Sequence, residues 1–77
     1  MLEEKYMYVS SDGTKKDVRQ LDFQYLVNAV AKAHRNVMET KNLDEYKKNA
    51  KNIEILENEL FERRNNYFLQ LISRGEN

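Results

Sequence analysis

From Asn42 to Arg74 the chain carries neither proline nor glycine, and it is rich in the helix formers Glu, Leu, Lys and Arg. Asn42 with Glu45 three places on is a helix-start signal, and Arg74-Gly75 is a stop signal. The pattern predicts one helix over 43–74, roughly 45 Å long at about 1.5 Å per residue. In a chain of 77 residues no other feature constrains the fold as strongly. The rest must pack along this helix or leave part of it for a partner.

The remaining options are few. A single domain of this size draws only about 3–5 kcal/mol from a lone hydrophobic core. With no cysteine, no disulfide or thiolate metal site can reinforce it, and His34, the sole histidine, leaves a zinc site short of ligands. Neither a cofactor nor a metal is expected. Thirteen basic and thirteen acidic residues cancel, so no global field draws the chain to nucleic acid or anionic lipid. No apolar run approaches the roughly 20 residues of a membrane span, and the acidic N-terminus does not read as a signal peptide. The expectation is a soluble cytoplasmic protein without a membrane partner, held by helix packing and self-association.

Residues 5–19 read as a β-hairpin, because Asp12-Gly13 suits a type I′ turn with positive φ at both central positions. That turn sets Met7 opposite Val18 and Val9 opposite Lys16, with Tyr6–Arg19 and Tyr8–Asp17 on the other face. A longer loop starting at Ser10 would change this register. Met7, Val9 and Val18 form the expected inner face, which a helix must cover.

A first helix is predicted over 22–40, with Asp22 as N-cap and Leu21 and Leu26 at staple positions. Phe23, Leu26, Val27, Val30, His34, Val37 and Met38 make its apolar stripe, Ala29, Ala31 and Ala33 permit close approach, and Lys32 and Arg35 take the polar side. In the long helix Tyr46, Ile53, Leu60 and Tyr67 recur every seven residues, joined by Ala50, Leu56 and Leu71. Asn49, Arg63 and Gln70 interrupt this seam. The fold class is therefore mainly α with a small β-hairpin: a two-stranded ribbon, then an antiparallel helical hairpin whose second helix is the longer. The first helix covers only roughly 26 Å. The overhang carries Leu60, Phe61, Tyr67, Phe68, Leu71 and Ile72, the candidate interface. The ribbon, a second copy, or a fold-back at Asn65-Asn66 would cover it, and self-association as a homodimer or higher oligomer is favoured.

No catalytic constellation is present. His34 has no serine, cysteine or paired carboxylate at a supporting spacing, and a partly buried, satisfied histidine is the preferred reading. Glu54, Glu57, Glu59 and Glu62 read as a solvated flank ahead of a cation site. Asp12-Gly13 lacks the remaining ligands of a calcium loop. Arg63-Arg64 suggests an interface anchor, although a Glu59–Arg63 bridge along the flank explains part of it. Lys32, Arg35, Lys41, Lys47, Lys48 and Lys51 gather around the helix–helix turn as a candidate nucleic-acid patch. Lys15, Lys16 and Arg19 extend it, and Tyr6, Tyr8 or Tyr46 are available for stacking. Ordinary solubilising lysines are the competing account.

Tyr8, Ser10, Asp12, Gly13, Val18, Leu21, Leu26, Asn28 and Ala29 together resemble a pattern found in small accessory proteins of tailed bacteriophages. There an aromatic and hydroxyl residues precede Asp-Gly, a short strand follows, and a helix opens on a leucine-x-asparagine-alanine run. The resemblance implies a phage or prophage accessory protein rather than an activity. The expected function is non-enzymatic: binding a host protein, such as a defence factor, and inhibiting it. The alternative is a small RNA- or DNA-binding protein that uses the basic turn.

Overall fold

The computed structural model describes residues 4–10 and 12–73. Arg74-Gly75, the expected stop, lies outside them. A short 3-10 turn, Glu4–Tyr6, leads into β1 (Met7–Val9), which pairs antiparallel with β2 (Lys15–Asp17). A second 3-10 turn, Val18–Gln20, leads to α1 (Phe23–Glu39) and then α2 (Leu43–Ser73).

Both helices begin at the caps the sequence names. Asp22 Oδ1 accepts from the Tyr25 amide at 2.7 Å, and Asn42 Oδ1 accepts from the Glu45 amide at 3.0 Å. Each cap satisfies an amide that the first helical turn leaves unpaired. Residues 40–42 link the helices, and α2 runs unbroken through Asn65-Asn66. The molecule is 51 Å in its longest dimension, set by α2.

The hairpin is present, but its register differs by one residue. Met7 faces Asp17, Tyr8 faces Lys16 and Val9 faces Lys15. The Ser10 amide donates to Thr14 O, so three residues rather than two close the loop, and Gly13 has a φ of 87°. Gly13 serves as the left-handed residue that ends such a loop. The Asp12 carboxylate holds the longer form together by accepting from Thr14 N and from the Ser10 hydroxyl. These bonds also keep the Asp12 carboxyl well below the usual carboxylate range.

A one-residue slip turns a strand's faces over. Tyr8 is therefore the buried strand residue, while Met7 and Val9 are only half-buried. Val18 is fully buried as expected, but from the 3-10 turn rather than from a strand. The core is Tyr8, Val18, Leu26, Ile55 and Leu56, with Tyr6, Leu21, Ala29, Val30 and Leu60 packed against it. In α1 the buried line runs through Leu26 and Ala33; Phe23, Val27, His34 and Met38 from the expected stripe are exposed.

The inner face of α2 is also rotated from the predicted seam. It runs through Asn49, Asn52, Leu56 and Glu59, whereas Tyr46 and Tyr67 are exposed. Polar groups sit inside because each has a partner there. Asn52 Oδ1 accepts from Val9 N at 3.0 Å and its Nδ2 donates to Val9 O at 2.8 Å. The Asn52 amide thereby pairs with the edge of β1 much as another strand would. Arg63, half-buried, donates from Nε to Glu59 at 2.7 Å and from Nη2 to the carbonyls of Val18 and Leu21. The Glu59–Arg63 bridge thus exists, but it fastens the 3-10 turn instead of lying on an exposed flank.

Candidate functional site

Two regions remain once the core is accounted for. The first is the end of α2. Residues three to four apart share a helix face, so the inner line Leu56, Glu59, Arg63 continues outward as Asn66 and Gln70. The polar side of the last turns is thus the side aligned with the body. On the other sides stand Phe61, Phe68 and Ile72 in one row, and Tyr67 and Leu71 in the next. Phe61, Tyr67, Phe68 and Ile72 are all at least half exposed, as is Leu69, which sequence reasoning passed over. Leu71 is half-buried, and Leu60 belongs to the core margin rather than to the open surface. The Tyr67 and Phe68 rings meet edge to face at 6.0 Å, and the Arg64 guanidinium lies 5.4 Å from the centre of the Phe61 ring.

The second region is a cleft of about 420 Å³ between the hairpin tip, α1 and the first half of α2. Ala29, Ala33 and Leu56 contribute its apolar surface, with Tyr25, Asn28, Lys32 and Asn36 from α1 and Glu45, Lys48 and Asn49 from α2. The small side chains of Ala29 and Ala33 leave this space between the helices. Tyr8 donates its hydroxyl to Tyr25 Oη at 2.6 Å, and Lys16 Nζ donates to the same oxygen at 3.0 Å. Burial, then the Tyr25 contact, pushes the Tyr8 phenol well above its usual range; Lys16, then Tyr8, pulls Tyr25 below its own.

Of the six basic residues expected to form one patch, only Lys32 and Lys48 line this cleft. Arg35 follows buried Ala33 by two residues, and Lys47 and Lys51 flank buried Asn49 by two. Two residues correspond to about 200° of helix rotation, so these three face away from the helix–helix contact. All six are exposed.

His34 has the partner expected of a satisfied histidine, Glu57, which it meets across the helix pair at 2.9 Å, and its side chain stays half exposed there. The acidic run divides three ways: Glu57 pairs with His34, Glu59 is buried against Arg63, and Glu54 and Glu62 are exposed. Among the described residues no group of three His, Asp or Glu side chains is placed to hold a metal, and no helix is long and apolar enough to cross a membrane.

Comparison with protein-family models, curated proteins and solved structures finds no match.

Proposed function

We propose that the chain is a non-catalytic accessory protein of the bacteriophage type that works by binding protein, and that the projecting end of α2 is its contact surface. A second copy of the chain is the first occupant, giving a homodimer or higher oligomer. A host factor, bound and blocked by the assembly, is the biological target. One observation carries the contact surface: a helix end apolar around much of its circumference, with four aromatic or aliphatic side chains of the predicted set at least half exposed. Helices with that distribution are normally covered. The host target rests on the sequence resemblance and on no contact within the fold.

The test is size exclusion with light scattering at micromolar concentration. The wild type should run at twice the chain mass or more. Phe68→Glu and Ile72→Glu should run as folded monomers, because these side chains are exposed in the single chain and their loss costs its core little. A wild-type monomer, or variants that assemble unchanged, would sink the proposal.

A nucleic-acid role for the basic turn is the weaker reading. Arg35, Lys47 and Lys51 point away from the surface that Lys32 and Lys48 share. Phosphate contacts along a strand depend on charges that track it together.

A further inference from the structure

The cleft between α1, α2 and the hairpin tip has no part in the projecting end of α2. We propose that it is a binding site for a mononucleotide. Its volume, about 420 Å³, lies within the roughly 300–1,000 Å³ typical of small-molecule sites.

The lining chemistry narrows the ligand. Lys32 and Lys48 come from opposite helices and form no ion pair among the described residues, so their ammonium groups are available to a phosphate. Half-buried Ala29 and Val9, with the buried Ala33 and Leu56 behind the lining, give the cleft a small apolar surface against which a ring edge can rest. Around it, the amides of Asn28 and Asn36 each offer a donor and an acceptor, the pairing that base edges require. Asn28 Oδ1 already accepts from Gln24, and the Asn36 amide makes a long 3.4 Å contact with Asn49 that a ligand can replace. Tyr25 Oη accepts from both Tyr8 and Lys16, which leaves its own proton free to donate.

Glu45 discriminates between classes. Its carboxylate repels any phosphate, but a nucleotide also brings sugar hydroxyls for it to accept from, which offset that repulsion, and inorganic phosphate brings none. Mixed lysine, carboxylate and amide lining therefore favours a phosphorylated nucleoside over inorganic phosphate.

The experiment is an amide-resolved NMR titration of the full chain with AMP, GMP, CMP and UMP in turn, alongside inorganic phosphate and a short single-stranded RNA. At least one mononucleotide should give saturable shifts centred on the cleft residues. Lys32→Ala with Lys48→Ala should weaken that binding by about tenfold or more, and Lys47→Ala with Lys51→Ala should leave it unchanged. All four lysines are exposed, and amide spectra of each variant report directly whether the fold is kept. Three results would overturn the assignment: no saturable shift at millimolar mononucleotide, shifts equal to those from inorganic phosphate, or binding of the RNA alone. None of these depends on whether the protein assembles through α2.

Discussion

Asn52 shows how much one side chain can fix. Its amide occupies both outward backbone groups of Val9, joining positions 43 residues apart in sequence. Alanine there would leave an N–H and a C=O without partners in a part-buried place, at about 1–3 kcal/mol. Chemical denaturation of Asn52→Ala should show a loss of roughly 2 kcal/mol, a large share of what a core this small supplies. Asn52→Leu restores volume but not the bonds, so it should recover little; full recovery would mean that packing, and not the paired bonds, carries the contact. This residue was not legible in the sequence. A polar side chain on an apolar face is read as solvated until its partner is known, and Val9 is far away along the chain. In the sequence Asn49 and Arg63 look like flaws in the seam for the same reason.

At the level of elements, the helices were legible nearly to the residue, because local caps at Asp22 and Asn42 decide where they start. The hairpin was legible as a unit but not in register. Asp-Gly is compatible with a two- or a three-residue loop, and the bonds from Asp12 that select the longer one are not a matter of periodicity. The three-residue loop makes a prediction about Gly13. A Cβ built there meets nothing within 4 Å, so a substitution is opposed by backbone conformation alone. Gly13→Val should cost about 1–2 kcal/mol, and Gly13→Asn clearly less, since asparagine tolerates positive φ. Equal melting temperatures for the two variants would show that the left-handed conformation is not what glycine supplies. The rotated face of α2 has a related cause: the heptad of Tyr46, Ile53, Leu60 and Tyr67 is real in sequence, but Asn52, Glu59 and Arg63 find partners on the adjoining face and turn it inward.

On the scale of the molecule, a long helix carries a compact N-terminal half and extends beyond it. The overhang follows directly from 31 residues in α2 against 17 in α1. The candidate interface was legible in outline from that difference. Its membership was not, since Leu60 is claimed by the core and Leu69 lies off the expected stripes. Self-association through this end has a thermodynamic signature, because the folded state would be stabilised by mass action. The melting temperature of the wild type should rise with protein concentration, and that dependence should vanish in Phe68→Glu. A melting temperature that does not move with concentration in the wild type would count against assembly.

The clamp from Arg63 to the carbonyls of Val18 and Leu21 also bears on the order in which the protein can be made. Synthesis runs from the N-terminus, so the ribbon and the 3-10 turn leave the ribosome long before the residues that fasten them. Tyr8 and Val18 have no completed setting until Asn52, Leu56 and Arg63 have followed. Helices form from neighbouring residues, while contacts across more than 40 positions await closure of a long loop. The ribbon is translated before the helices yet seated after them, and a nascent chain stalled before residue 63 exposes the apolar groups that the finished fold hides.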